Sequence, residues 1–390
     1  MAENASSSLT PLTPPLTEED RLSWLRLIRC RRVGVSTFFR LMHEHGNADA
    51  ALGALPDVAR AAGVENYETF SRSAAEDEYR RAQMAGARLI CFGDADYPGH
   101  LSEIPDAPPL LWALGRLETL KRAPVAIVGA RNASSLGLRM ARRLADGLAD
   151  AGFTVVSGLA RGIDAAAHQA ALAEDRTDST VAVLAGGVDV VYPAENVALA
   201  QDIAERGLRL SEAPVGLPPK ARHFPPRNRI VSGMSKAVVV VEAAAKSGSL
   251  ITARLAADQG RDVMAVPGHP FDGRATGCNH LIRDGATLVG RVEDIVEALG
   301  ADRPAATKAK AVSAPPLEHS KDRRTPAQTQ ALHQEILDRI GPSPVAEDLV
   351  LRDLGGAAPD LLAEILELEA QGRIRRAPGG LLTRSGESVH

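Results

Sequence analysis

Aromatic residues, cysteine and long apolar runs are scarce in this sequence. Phe, Trp and Tyr together make up 3% of its 390 residues, so a nucleic-acid surface built mainly from stacked aromatic side chains is not expected. The three cysteines, Cys30, Cys91 and Cys278, are far apart and odd in number, which supports neither a disulfide framework nor a zinc site. This cysteine pattern fits a cytoplasmic protein. No apolar run approaches the length of a membrane span, so we expect no membrane partner.

Targeting and catalytic motifs are also missing. The first twenty residues have neither a basic segment nor an apolar core, so they are not a secretory signal, and we expect residues 1–16 to form a disordered tail. The chain contains no HExxH, GxSxG or Walker sequence, and Cys278 is interpreted as a small buried residue rather than a nucleophile. We therefore expect a binding protein rather than an enzyme, with no metal and no cofactor.

The hydrophobic patterns divide the chain into domains. Residues 17–87 show helical periodicity, beginning with a capping pair, Thr17 and Asp20, and are interpreted as an N-terminal helical, SAM-like domain. Residues 301–324 are rich in Ala, Pro and Lys and have no apolar face, which is typical of a linker. Residues 325–385 contain three helical segments followed by a hairpin pattern, which predicts a winged helix.

The region between these domains, residues 88–300, alternates between short apolar runs and helical patterns. This alternation predicts an α/β fold with an extended, Rossmann-like, doubly wound and mostly parallel sheet. Ligand sites in such sheets lie beyond the carboxyl ends of the strands. The predicted strands are Leu89–Phe92, Val125–Gly129, Thr154–Ser157, Val181–Leu184, Leu208–Ser211, Val238–Val241, Val263–Val266 and Thr287–Val289.

A basic window stands out in a chain whose formal net charge is -4. Between Ala213 and Val241 there is no acidic residue, and a loop from Pro214 to Pro226, stiffened by prolines, carries one aromatic residue, Phe224. A local concentration of positive charge indicates a polyanionic partner. The basic residues of the window are Lys220, Arg222, His223, Arg227, Arg229 and Lys236.

Two turns of the predicted sheet indicate anion binding. The sequence VVVVEA, a predicted buried strand, is followed by Ser247, Gly248 and Ser249 and then by a helical pattern, so free backbone N–H groups would point at a bound anion. The turn after an earlier strand, GARNASSLG, fits a dinucleotide fingerprint poorly. Its arginine, Arg131, suits a phosphate held from outside, as in a nucleic-acid backbone.

A further pair, Asp164 and His168, lies four residues apart on one predicted helix. This spacing would place both side chains on the same helical face, where they could form a metal site or an acid–base pair. Structural hydrogen bonds near the top of the sheet are the simpler interpretation.

Several blocks of this sequence occur in one order, from VGARNASSLG through SEAPVGLPPKARHFPPRNRIVSGMS to GCNHLIRDGATLV. Together they resemble the DNA-processing protein A family, DprA, also called Smf, almost without a break from Gly93 to Leu299. The resemblance implies a Rossmann-like protein that binds single-stranded DNA, protects incoming DNA in natural transformation and loads the recombinase RecA onto it. It also implies a homodimer.

The resemblance places the family's DNA-binding positions on residues of this chain. Arg131, Arg227 and Arg229 would neutralise phosphates, Phe224 would stack on one base, and backbone N–H groups near Ser249 would hold another phosphate. The predicted DNA-binding residues are Gly129, Arg131, Ser134, Arg161, Lys220, Arg222, Phe224, Arg227, Asn228, Arg229, Ser247, Gly248 and Ser249.

The winged helix departs from a DNA-reading module. Its third helix, APDLLAEILELEAQG, is acidic, and phosphate would repel it. The predicted wing carries Arg373, Arg375 and Arg376, which could touch a DNA backbone. We expect a protein-interaction or regulatory role for this domain, and the linker composition predicts a flexible tether that leaves the central domain to form its groove alone.

Two other functions fit parts of the pattern. A Rossmann-like nucleotide phosphoribohydrolase of the lysine-decarboxylase-like type also has a glycine-rich turn after a late strand, but that turn, PGGxGTxxE, includes a catalytic acid. The corresponding segment here, KSGSLITAR, has Arg254 and no glutamate. A transcription regulator acting through the winged helix is the other alternative, and the acidic third helix weakens it.

Overall fold

A computed structural model of the chain describes residues 14–300, 326–340, 343–355, 358–377 and 381–385. The predicted N-terminal tail and the linker lie mostly or wholly outside these residues, so both remain predictions. Within the described part, no helix combines the length and apolar character needed to cross a bilayer.

The N-terminal domain is helical, as predicted. Its first helix begins with a capping box, because the Thr17 side chain accepts from the Asp20 N–H group while the Asp20 carboxylate accepts from the Thr17 N–H group. The second helix ends at Gly46, a residue type favoured at helix C-termini. The third begins at Asn47, a residue type favoured at the N-cap. The helices are α1 (Glu18–Arg29), α2 (Val35–His45), α3 (Ala48–Ala61) and α4 (Arg72–Met84).

The central domain is a nine-stranded sheet with helices on both faces. Seven of its strands are parallel to one another, and the strand order is β1-β2-β6-β5-β4-β3-β7-β8-β9. The strands are β1 (Arg88–Cys91), β2 (Leu110–Gly115), β3 (Pro124–Gly129), β4 (Thr154–Ser157), β5 (Thr180–Val183), β6 (Leu208–Ser211), β7 (Ala237–Val241), β8 (Asp262–Ala265) and β9 (Thr287–Leu288). The helices are α5 (Gly99–Ser102), α6 (Ser135–Asp150), α7 (Ile163–Ala171), α8 (Val197–Arg206), α9 (Phe224–Gly233), α10 (Gly248–Asp258), α11 (Thr276–Arg283) and α12 (Val292–Ala298).

The predicted doubly wound sheet is therefore confirmed, but one strand was missed. Strand β2 pairs antiparallel with both β1 and β6. Only the four-residue α5 separates β2 from β1, so no full crossover helix precedes β2. The strand prediction relied on strands alternating with helices, and a strand without such a helix does not fit that pattern. The chain order reverses at β3, whose neighbours are β4 and β7, so a crevice is expected beyond the ends of β3 and β7.

The two faces of the sheet are buried by different helices. Alternate residues of β3 point to opposite sides: Val125 and Ile127 pack with α6, α7 and α12, whereas Ala126 and Val128 pack with α5, α9, α10 and α11. Strands buried on both faces are the reason that runs such as AVVVV in β7 are continuously apolar.

The C-terminal domain has the predicted winged-helix elements, with a separate apolar core around Ile336, Val350, Ile365 and Leu382. In its three-stranded sheet the last two strands pair antiparallel; the predicted turn between them, 378–380, lies outside the described residues. The elements are α13 (Pro326–Arg339), β10 (Val345–Ala346), α14 (Glu347–Leu354), α15 (Ala358–Ala370), β11 (Ile374–Ala377) and β12 (Leu381–Arg384).

A buried polar cluster joins the N-terminal helices to the central sheet. Glu78 of α4, which is 2% exposed, accepts from the Trp112 indole N–H of β2 at 3.0 Å and forms an ion pair with Arg29 of α1 at 2.9 Å. Both tryptophans of the chain, Trp24 and Trp112, belong to the apolar cluster that surrounds this pair. The three elements are thus held together by one carboxylate.

Removing that carboxylate should destabilise the junction strongly. We expect Glu78→Ala to lower the free energy of unfolding by about 3–5 kcal/mol, because it leaves the Arg29 charge and the indole N–H buried without a partner. Urea unfolding followed by tryptophan fluorescence reports directly on this cluster. Glu44→Ala, which breaks the exposed pair with Arg40, is the matched control, with an expected loss under about 1 kcal/mol. Equal losses in the two variants would contradict the assignment.

Candidate functional site

An open cleft of about 1200 Å³ lies where the chain order of the sheet reverses. Its walls are the turns that follow β3, β4 and β7, the start of α9, and the loop between β8 and α11. Eight predicted site residues line it: Gly129, Arg131, Phe224, Arg227, Asn228, Ser247, Gly248 and Ser249. The structure therefore brings both predicted anion turns and the predicted aromatic residue into one cleft.

The turn after β3 presents Arg131 to the cleft. Gly129 must be a glycine there, because a Cβ atom at this position would lie 1.9 Å from the Val241 carbonyl oxygen. The Ala130 N–H group donates to the Glu242 carbonyl at 2.7 Å, which ties the turn to the end of β7. Arg131 is exposed, and its guanidinium carbon lies 5.1 Å from the centre of the Phe224 ring.

The turn after β7 is a helix N-terminus, as predicted. Ser247 caps α10, and its hydroxyl lies 2.7 Å from the Ser249 hydroxyl. The first turn of this 11-residue helix contains no acidic side chain, so nothing within it neutralises the positive end of the helix dipole. Lys246, a residue that the sequence analysis did not select, also lines the cleft beside this turn.

The segment around Phe224 is the start of a helix rather than part of the predicted stiff loop. Phe224 is the first residue of α9, and Pro225 and Pro226 occupy the first helical turn. Proline is compatible with that turn, because the N–H groups there have no intrahelical acceptor. The prolines that indicated a stiff loop therefore begin the helix that carries Arg227 and Asn228.

Arg227 lies under the cleft and is largely buried. Its guanidinium donates to the carbonyl oxygens of Gly158, at 2.6 Å, and Val183. Burial lowers the pKa of Arg227 to about 10, and the nearby Asp164 carboxylate opposes that shift. The group stays charged at neutral pH and contributes positive potential at the floor of the cleft. Its hydrogen bonds also connect the ends of β4 and β5.

Five predicted site residues do not line the cleft, and Arg229 is the clearest correction. Arg229 is 8% exposed and forms ion pairs with Glu212 and with Asp106, the latter at 3.4 Å. It lies two positions after Arg227 on the same helix, so the two side chains point in different directions. Its charge is already paired with two carboxylates, and the side chain does not reach the cleft.

The other four predicted site residues that do not line the cleft lie in three different settings. Lys220 and Arg222 are exposed beside the lining residues Pro219 and Ala221. Arg161 is exposed and forms an ion pair with Glu195 at 2.6 Å. Ser134 is buried and caps α6 through the Gly137 N–H group, so its role is structural.

Glu242 is an important residue that the sequence analysis missed. Its carboxylate accepts from the Ser134 N–H group at 2.8 Å and from the Ser134 hydroxyl at 2.5 Å, at the N-terminus of α6. Burial raises the pKa of Glu242, while the Ser134 hydrogen bonds oppose the shift. A dinucleotide-binding Rossmann fold places a pyrophosphate at this helix end, whereas here the protein's own carboxylate fills it. The sequence signal that could have identified Glu242 is its position, an acidic residue directly after the apolar strand VVVV.

Asp164 and His168 do not form a pair. The Asp164 carboxylate accepts from the N–H groups of Gly158 and Ala160, whereas His168 Nδ1 lies 2.7 Å from the Thr180 hydroxyl. Both are buried. The structural interpretation of this motif is therefore confirmed. The third cysteine, Cys278, is buried as predicted, and burial raises its pKa to about 11.

The winged helix contacts the cleft, which corrects the expectation that the central domain forms its groove alone. Asp338 of α13 accepts from the Asn132 amide at 2.6 Å, and Arg339 donates to the Ala133 carbonyl at 2.9 Å. A third contact joins Arg142 of α6 to the buried Asp353 of α14 at 2.8 Å. The winged-helix residues that line the cleft are Asp338, Arg384 and Ser385.

The fold and the cleft define a class of protein: a Rossmann-like domain in which the glycine- and serine-containing turns after β3 and β7 face one open cleft. Comparison with known proteins agrees. Residues 88–300 match the family model for DNA recombination-mediator protein A, residues 18–81 the DprA-like N-terminal HHH domain, and residues 320–380 the DprA winged helix domain. The chain belongs to the DprA/Smf family.

Individual relatives support this assignment. Protein Smf of Escherichia coli is 35% identical over 92% of this chain and 94% of its own, and DNA processing protein DprA of Streptococcus pneumoniae is 41% identical over 65% and 89%. A solved structure of the S. pneumoniae protein covers 72% of this chain and 98% of its own with a TM-score of 0.59 and 36% identity. A Helicobacter pylori DNA processing protein A structure, described by its single-stranded DNA binding mode, covers 55% and 95% with a TM-score of 0.50 and 29% identity.

The buried His168 should make stability depend on pH. Burial lowers its pKa to about 3 from an ordinary 6.5, so below about pH 6.5 the unfolded chain binds a proton that the folded chain excludes. Stability is therefore lost as the pH falls, by about 1 kcal/mol per pH unit from this group.

The variant His168→Asn keeps a donor for the Thr180 hydroxyl and cannot titrate. We expect the difference in unfolding free energy between wild type and variant to shrink between about pH 6 and about pH 4, measured by urea unfolding. A difference that stays constant over this range would show that His168 takes up its proton in the folded state.

Proposed function

We propose that the cleft binds single-stranded DNA through its phosphate backbone. The observation that carries this proposal is the convergence of Arg131, the free N-terminus of α10 and the Phe224 ring in one open crevice. A guanidinium and a helix N-terminus are both suited to phosphate, and an aromatic ring is suited to an unpaired base. The description of the H. pylori relative by its single-stranded DNA binding mode supports the same function.

Each part of the cleft has a distinct role in this proposal. Arg131 is exposed and neutralises a phosphate directly, while the N–H groups around Ser249 hold a second one. Asn228, on α9 beside the cleft floor, offers an amide to the sugar or base. Arg227 raises the local potential from below and keeps the floor in place, and Arg229 supports α9 through its carboxylate partners.

We also propose the biological setting that membership of the family suggests. The chain would protect single-stranded DNA during DNA uptake and natural transformation, and load RecA recombinase onto it, as a cytoplasmic homodimer. Binding of this kind requires no covalent step. A second copy of the cleft would lengthen the footprint on the strand without any new type of contact.

Single-stranded DNA should bind far better than duplex DNA of the same sequence. Duplex recognition uses a helix or ribbon that enters the major groove, but α15, the helix in the recognition position of the winged helix, carries Glu364, Glu367 and Glu369. An electrophoretic comparison of matched oligonucleotides at two salt concentrations measures the difference, and binding of single strands should weaken as the salt concentration rises. Equal affinity for the two forms would rule out the proposed cleft as the main site.

Replacing Arg131 should weaken binding uniformly across DNA sequences. We expect Arg131→Ala to reduce the slope of log affinity against log salt concentration by about 0.7, the value for one phosphate contact on a single strand. Fluorescence anisotropy of labelled oligonucleotides at several salt concentrations gives the slope.

Two further arginine variants make this measurement specific. Arg60→Ala removes an exposed arginine of α3, which forms an ion pair with Asp57, and should leave the slope unchanged. Arg229→Gln removes a buried charge from α9 and should lower the melting temperature without removing a phosphate contact. A slope that falls with Arg229→Gln and not with Arg131→Ala would reverse the assignment of the two residues.

A further inference from the structure

The exposed aromatic residues of this chain are concentrated at the cleft. All seven Phe, four Tyr and two Trp residues lie in the described part of the chain. Two of them are exposed, Tyr192 at 51% and Phe271 at 88%, and both line the cleft. Phe224, which is half-buried, lines it as well. In a protein that otherwise buries its few aromatic rings at least partly, this distribution points to a ligand with flat apolar faces.

Phe271 lies on the opposite side of the cleft from α9. It belongs to the loop between β8 and α11, whereas Phe224 begins α9, and the anion turns after β3 and β7 come from strands that are central in the sheet. Because β7 and β8 are adjacent, the loop that carries Phe271 borders the crevice on the side of the α10 N-terminus. The phosphate-binding groups thus have an aromatic residue on each side.

Local contacts support the position of the Phe271 ring. The Phe271 N–H group donates to His269 Nδ1 at 3.3 Å, and the two rings lie 5.6 Å apart at an angle of 43°. Immediately after it, the Asp272 carboxylate accepts from the Arg274 N–H group at 3.0 Å, and the Ala275 N–H group donates to the Asp272 carbonyl at 2.9 Å. An apolar ring that remains exposed on a hydrogen-bonded loop is available to a ligand without a large ordering cost.

Phe224 is less available than Phe271. The guanidinium of Arg131 lies over its ring, that of Arg227 is 6.0 Å from its centre, and Tyr192 packs against it edge-on with ring centres 5.9 Å apart. A base that stacks on Phe224 must share or displace these contacts. Phe271 has no cation over its ring among the described residues, and most of its surface is open to solvent.

We propose that Phe271 is a base-stacking residue, which holds an unpaired base on the side of the cleft opposite Phe224. This inference rests on the proposed binding of single-stranded DNA. The strand's phosphates would lie against Arg131 and the α10 N-terminus, and a base would turn outward to the Phe271 ring. Because every base has a flat aromatic face, the contact strengthens binding without selecting a sequence.

The test separates stacking from phosphate binding by removing the bases. Wild type and Phe271→Ala are compared on an oligothymidine and on an abasic oligonucleotide of the same length, by fluorescence anisotropy at fixed salt. We expect Phe271→Ala to weaken binding of the oligothymidine by about fivefold or more, the effect of one stacked base, and to leave binding of the abasic strand unchanged.

Three further variants define the result. Phe271→Leu keeps an apolar side chain without an aromatic face and should recover only part of the loss. Met84→Ala removes a similarly exposed apolar side chain, 82% exposed, from α4, and should bind both strands as wild type does. Arg131→Ala should weaken both the abasic and the normal strand, because it acts on the phosphates.

The possible outcomes distinguish this inference from the proposed function. Wild-type affinity of Phe271→Ala for the oligothymidine would overturn the stacking role and leave the DNA-binding cleft intact. An equal loss on both strands would show that Phe271 maintains the cleft rather than contacting a base, and would also overturn it. If wild type binds neither strand, the proposed function fails together with the inference.

Discussion

The cleft depends on one buried guanidinium. Arg227 joins three elements, because it projects from α9 and donates to carbonyl oxygens at the ends of β4 and β5. A side chain at Gly158 would displace this group, since a Cβ atom there would lie 2.4 Å from the guanidinium. A buried charge with this cost of desolvation is maintained only where the surrounding groups satisfy it. The consequence is a rigid floor of positive potential, on which exposed groups such as Arg131 and Lys246 are arranged.

A largely buried carboxylate distinguishes this sheet from a dinucleotide-binding Rossmann fold. The Glu242 carboxylate fills the N-terminus of α6, so the usual position of a pyrophosphate is closed. The next comparable helix end, that of α10, remains free of acidic side chains. The helix N-terminus without an acidic partner in its first turn therefore follows β7 rather than β3, and it faces the cleft.

Much of this architecture follows from local patterns. Apolar runs identified eight of the nine strands of the main sheet, and glycine- and serine-rich turns identified the two anion turns that meet at the strand ends. The misplaced residues share a physical cause. The sequence RNR does not distinguish Arg227 from Arg229. Only the helical geometry of α9 places one side chain at the cleft and the other beside Glu212 and Asp106.

Other features depend on contacts between distant segments, which no local pattern records. The exposure of Phe271 is visible only when the loop after β8 is placed beside the turns after β3 and β7. The antiparallel strand β2 is recognised by its partners β1 and β6 rather than by its own sequence. Likewise, the contact between Asn132 and Asp338 joins residues that are 206 positions apart.

That last contact has an electrostatic consequence. Asp338 presents a carboxylate to the turn that carries Arg131, so this wall of the cleft contains a negative charge supplied by the C-terminal domain of the same polypeptide. An intramolecular group of this kind has an effective concentration set by the chain that connects it, and dilution of the protein does not remove it. An anion that bound at this wall would therefore meet the same competitor at every protein concentration.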